Sequence, residues 1–101
     1  MTDRLSRGLL IGGEEVAATD GSTLDIVNPS NGRTLGASAA AGPADVDRAV
    51  AAAKEAFERG QWRHMPIAER AAVLHRLADA IDGNLDDLFR LETLNNGRPI
   101  A

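Results

Sequence analysis

The stretch Gly36-Ala37-Ser38-Ala39-Ala40-Ala41-Gly42-Pro43-Ala44-Asp45-Val46-Asp47-Arg48-Ala49-Val50 is where the chain changes character. Before Gly42, residues Gly, Thr, Ser and Asn punctuate short apolar runs; after it, apolar residues recur at helical spacing. Pro43 suits the first helical position, where its missing N–H would have no partner anyway. Asp45 sits at the positive end of the helix dipole. Val46, Ala49, Val50, Ala53 and Phe57 fall on one stripe, and Gly60 supplies a stop, so the spacing predicts a helix over 43–59.

The same pattern continues toward the C-terminus. A second helix is expected over 66–82, with Ile67, Ala71, Leu74, Leu77, Ala78 and Ile81 on one face and Gly83 at its end. A third should start at an Asn84 cap, with Asp86 and Asp87 in its first turn and Leu85, Leu88, Phe89 and Leu91 or Leu94 on its apolar side. Gly97 and Pro99 end it. Toward the N-terminus, Gly12-Gly13 separates Leu9-Leu10-Ile11 from Glu14-Glu15-Val16-Ala17. Two glycines tolerate the positive φ of a tight turn, so a β-hairpin is expected. Asp20-Gly21 is a second turn, and Leu24 to Val27 reads as a third strand. That strand ends at Asn28-Pro29, where proline lacks an N–H and restricts its neighbour. Asn31-Gly32 turns the chain into a strand near 34–38. The fold class is therefore α+β: short antiparallel strands over a β-hairpin region, 1–41, then three amphipathic helices over a helical region, 42–101.

Composition sets bounds. The chain has 101 residues, the size of one small domain or part of a larger one. Hydrophobic residues make up 44%, but the aromatics are one Trp and two Phe. Much of the rest is alanine, which buries little area. The helices are thus expected to need a partner surface outside this chain. The formal net charge of −4 argues against nucleic-acid binding. No run is long enough to span a membrane, and Leu9-Leu10-Ile11 is too short for a signal-peptide core, so a cytoplasmic protein is expected.

A search for chemistry finds none. With no cysteine, disulfides, thiolate metal sites and a cysteine nucleophile are excluded within these residues. Gly8 to Gly13 lacks the strand-to-helix context of a phosphate loop and reads as hairpin. His64 and His75 have no companion ligands, and zinc needs three or four. Asp79, Asp82 and Asp86 straddle a helix break and read as solvated charge. Trp62 reads as a packing anchor, and Arg70 beside Glu69 as a capping or salt-bridge residue.

Several short strings, in order, resemble the N-terminal segment of the NAD(P)-dependent aldehyde dehydrogenase superfamily. Ile11-Gly12-Gly13-Glu14-Glu15-Val16 resembles the family's opening hairpin. Ile26-Val27-Asn28-Pro29-Ser30-Asn31-Gly32 is similar to its V-x-N-P-x-T-G turn, with Asn31 in place of Thr. Asp45 to Val50 and Ala53 to Phe57 resemble the helix that follows. Gln61-Trp62-Arg63 and Glu69 to Leu74 resemble the family's Trp and E-R-x-x-x-L positions. Leu91-Glu92-Thr93-Leu94-Asn95-Asn96-Gly97-Arg98-Pro99 is similar to E-T-L-D-N-G-K-P, with Asn95 for Asp and Arg98 for Lys.

The resemblance implies that the chain is part of the aldehyde dehydrogenase α/β fold, a scaffold portion of an oxidoreductase. Such enzymes oxidise an aldehyde to a carboxylic acid with NAD or NADP. A cysteine attacks the carbonyl, hydride passes to the nicotinamide, and a glutamate activates water. The resemblance places those groups, most of the cofactor domain and the oligomerisation hairpin beyond Ala101. No catalytic or cofactor-binding residue is therefore expected here, no cofactor is expected to bind the chain alone, and the isolated chain is expected to be inactive. The expected partners are the remainder of an aldehyde dehydrogenase chain and, when intact, further copies in a homo-oligomer. Some members hold a monovalent cation with backbone carbonyls, and the matching positions are Ile26, Val27 and Asn95. The alternative is a stand-alone non-catalytic helical protein-interaction module. A small nucleotide-binding protein is a weaker third reading.

Overall fold

The computed structural model describes residues 5–99. Its elements run β1 (Leu9–Ile11), β2 (Glu14–Val16), β3 (Thr23–Val27), β4 (Thr34–Ala39), α1 (Pro43–Arg59), a 3-10 turn (Trp62–His64), α2 (Ile67–Asp82) and α3 (Leu85–Asn96). Four short antiparallel strands in two sheets thus precede three helices, the order expected from the sequence.

β1 and β2 pair antiparallel with Leu9 opposite Val16 and Ile11 opposite Glu14. The turn between them has φ of 62° at Gly12 and 83° at Gly13. Both are left-handed values, as a type I′ turn requires, and its twist matches that of the flanking strands. β3 and β4 pair from Thr23 opposite Ala39 to Val27 opposite Thr34, with a register shift between Ile26 and Val27. The connection is built from side chains that imitate backbone turns. Asn28 Oδ1 accepts from the Ser30 N–H at 2.9 Å, and Asn31 Oδ1 from the Arg33 N–H at 2.9 Å.

One strand-like contact lies outside the sequence reading. Arg7 forms a parallel bridge with Ser38. Its N–H donates to the Ala37 carbonyl at 3.0 Å, and its carbonyl accepts from the Ala39 N–H at 2.8 Å. The segment before the hairpin therefore lies along β4 and ties the two sheets together.

The helix ends show two departures from expectation. Pro66 is the cap of α2 rather than its first residue, because its ψ of 149° is extended. Asn84 stands at the start of α3, but its side chain makes no cap there. It donates backward to the Ala80 carbonyl at 2.7 Å, filling an open acceptor at the end of α2.

Little of this structure is core. Among the described residues, the buried hydrophobics are Leu5 and Ala18. Ile67 is 77% exposed, Leu10 76% and Phe57 64%, and the faces of α2 and α3 are open from Leu74 to Phe89. Burying a large apolar side chain contributes about 1.5–3 kcal/mol, and for these residues the chain alone does not supply it. The radius of gyration is 17.0 Å, against about 13 Å for a compact domain of this length. The accessible surface is 7885 Å² for 10.6 kDa, whereas a compact monomer of that mass exposes about 5,500 Å². About 2,400 Å² is thus in excess of what a self-sufficient domain shows.

Candidate functional site

Two constellations stand out against this open scaffold. The first is a cleft of about 300 Å³ between the N-terminal segment, β3 and α3, lined by Leu5, Arg7, Ile26, Leu88, Leu91, Glu92 and Asn95. Its floor is apolar, and Arg7, Glu92 and Asn95 supply polar atoms at its edge. The cleft brings together Ile26 and Asn95, two of the three positions matched to a cation site. Val27, the third, follows Ile26 across the register shift that ends β3, and it does not line the cleft. The shift skips Leu35 on β4, which is left without a strand partner, while Ile26 and Val27 keep theirs.

Backbone geometry also brings the end of α3 to the turn after β3. Gly97 ends α3 with φ of 78°, and its N–H donates to the Thr93 carbonyl at 2.9 Å. A Cβ at Gly97 would lie 3.2 Å from Pro29 Cγ. The Asn28-Pro29 turn and the Asn95-Asn96-Gly97 turn, far apart in the chain, are therefore in contact.

The second constellation centres on Asp45, the one buried charged residue among those described, at 2% exposure. Its carboxylate accepts from the Thr19 hydroxyl at 2.6 Å, the Thr19 N–H at 3.0 Å and the Gly42 N–H at 2.9 Å. The Arg48 guanidinium donates to it at 2.7 Å. Gly42 has no side chain to cap the helix, so Asp45 reaches back and satisfies the cap N–H itself, half of a capping box. The Thr19 hydroxyl, then the Gly42 N–H and Arg48, hold the Asp45 carboxyl well below the usual carboxylate range, against the opposing effect of desolvation. Every acceptor site in view is filled by a donor. This makes Asp45 a structural tie between the loop after β2 and the start of α1, with no lone pair directed at a substrate.

The remaining candidates stay apart. His64 and His75 are exposed, and no group of three metal-binding side chains forms among the described residues. Asp79, Asp82 and Asp86 are exposed. Trp62 is 44% exposed and lies beside Phe57 at the corner after α1. Arg70 is half-buried, and among the described residues it makes no ion pair.

Residues 16–101 match the aldehyde dehydrogenase family. The chain belongs to that family. It is 41% identical over 92 residues to the NADP/NAD-dependent aldehyde dehydrogenase PuuC of Escherichia coli, covering 91% of this chain and 19% of that one. It superposes with a TM-score of 0.89 on the crystal structure of an NAD-dependent aldehyde dehydrogenase from Sinorhizobium meliloti, at 38% identity, covering 93% of this chain and 19% of that one. The NAD+ complex of an aldehyde dehydrogenase from Bacillus cereus also gives 0.89, at 40% identity, with 95% and 20% covered. The chain spans between a tenth and a fifth of the length of the curated relatives it matches. As an aldehyde dehydrogenase segment, its open helical faces have a ready physical account: the same fold occurs in the relatives as a minor part of a much larger chain.

Sequence reasoning missed the Asp45 tie and the Arg7 strand. Asp45 was visible as a helix-start acid, but nothing local signals a partner in Thr19. No helix among the described residues is long and apolar enough to cross a membrane.

Proposed function

We propose that this chain is the N-terminal scaffold of a cytoplasmic, homo-oligomeric enzyme that oxidises an aldehyde to a carboxylic acid with NAD or NADP. The observation that carries the reading is the set of open apolar helix faces on a fold that matches about a fifth of the solved aldehyde dehydrogenase chains it superposes on. The cofactor assignment draws on a relative described as NADP/NAD-dependent and on the NAD+ complex of the Bacillus cereus enzyme. The chain has no cysteine, so the thiolate chemistry of the family comes from residues outside it. The 101 residues alone bind no nicotinamide and turn over no aldehyde. Absorbance at the NADH band, with a panel of aldehydes and both cofactors, tests this. Any turnover by the purified chain overturns the reading.

In the intact enzyme, the carbonyls of Ile26, Val27 and Asn95 are the proposed ligands of a monovalent cation. The residues fit a cation in two respects: Ile26 and Asn95 line one cleft, and Glu92 adds a carboxylate beside Asn95. A cation there would fasten the end of β3 to the end of α3. Stability of the intact enzyme should then rise with potassium over a large organic cation, and equal stability in both would remove the site.

A further inference from the structure

The corner where α1 passes through the 3-10 turn into α2 forms an open bowl of about 510 Å³, lined by Ala56, Phe57, Trp62, Arg63 and Arg70. The Arg63 guanidinium lies 4.7 Å from the centre of the Phe57 ring. Trp62 and Phe57 leave 44% and 64% of their surface to solvent. The lining carries two guanidinium groups and no acid, and among the described residues neither guanidinium makes an ion pair. Aromatic rings and arginines in one concave patch are the side chains that dominate binding energy at protein interfaces. Arginine's planar fork is matched to a carboxylate, and stacking on Phe57 leaves the fork's edge free to make that contact.

We propose that this corner is the anchor by which the chain docks on the rest of an aldehyde dehydrogenase fold, with an Asp or Glu of that partner seated between Arg63 and Arg70. The proposal rests on the reading under Proposed function and adds which face carries the contact and what chemistry it meets. Over the whole chain, the surface in excess of a compact monomer's is about 2,400 Å², enough to supply one side of an interface in the range of permanent complexes. A second copy of this chain is disfavoured as the occupant. A two-fold contact through the corner would bring four guanidiniums together, and like charges across an interface oppose association.

The test is co-expression of the 101-residue chain with the Escherichia coli relative lacking its matching stretch. A benzoylphenylalanine photo-cross-linker replaces Trp62, and affinity is measured for Arg63→Glu/Arg70→Glu, for Arg63→Gln/Arg70→Gln and for Arg76→Glu, an exposed α2 control outside the bowl. The two fragments should co-purify, with the cross-link on a peptide containing Asp or Glu. Charge reversal should weaken binding by about tenfold or more, the Gln pair by less, and the control not at all. The Gln pair keeps the proposal testable if charge reversal disturbs folding, which circular dichroism reads separately. Failure of the fragments to associate, a cross-link to a second copy, or reversal no worse than the control each overturns the proposal. The last outcome leaves the enzymatic reading intact, because that reading falls only to turnover by the chain alone.

Discussion

The Asp45 carboxylate holds both the N–H and the hydroxyl of Thr19, 26 residues earlier in the chain. The bond joins the strand-rich half to the first helix at the point where the helix has no side-chain cap from Gly42. Removing the carboxylate leaves the Thr19 and Gly42 donors without their acceptor, and unsatisfied buried donors are costly. Asp45→Ala should therefore lower the unfolding midpoint more than Asp45→Asn, which keeps an acceptor oxygen. Thr19→Val, which removes only the hydroxyl, should fall between the wild type and Asp45→Ala. Thermal melts of the chain, followed by circular dichroism, check the order.

The same tie has a pH signature. Its donors lower the Asp45 pKa from the ordinary 3.8. A carboxyl with a depressed folded-state pKa contributes stability that is fully present above the unfolded value and is lost as pH falls through the folded one. Stability from the tie should be flat near neutrality and decline from about pH 4 downward. Exchange of the Thr19 and Gly42 amides, followed by NMR against the Asp45→Asn variant, should converge between the two proteins at low pH. Divergence that persists or grows on acidification would contradict the assignment.

Gly97 carries two separate demands, a φ of 78° and contact with Pro29. Gly97→Ala should cost about 1–2 kcal/mol from the backbone alone, with a further cost from the Pro29 contact. Pro29→Ala in the same chain should relieve the second part only. A double-mutant cycle on urea unfolding measures the coupling, and strict additivity would show that the two turns do not press on one another.

Ile67 is the most open of the large apolar side chains described, at 77%. In the isolated chain Ile67→Lys should change stability by about 0.5 kcal/mol or less, as at any surface position. Placed in an intact aldehyde dehydrogenase, where the face is proposed to be covered, it should destabilise by about 3 kcal/mol or more through a buried unpaired charge. Equal effects in the two settings would mean that the α2 face stays in water.

Local order was legible because its signals are local. Pro43 opens α1, Gly12-Gly13 marks the hairpin, and Gly97 closes α3, each through a backbone preference of the residue itself; Gly60 ends α1 with an ordinary φ of −75°, where a Cβ would meet the Ala56 carbonyl. The relations that build the candidate sites were not legible. Thr19 and Asp45 meet only because the chain returns on itself, and Arg7 joins β4 with no alternation in its sequence to announce a strand. The exposure of Trp62 was hidden for a different reason: a large aromatic marks a contact, but says nothing of whether the other side lies in the same chain. The pairing of Ile26 with Asn95 along one cleft needed the resemblance to the family to be noticed.

The Arg7 bridge and the Asp45 tie also set an order of events during synthesis. Every bond in them is made among residues 7 to 48, so both sheets and the start of α1 can close as soon as that stretch has left the ribosome. The faces of α2 and α3 have no such early partner. On the proposed reading their partner surfaces are made elsewhere and they emerge sticky, which makes the interval between Ile67 and Phe89 the stretch that a chaperone has most reason to hold.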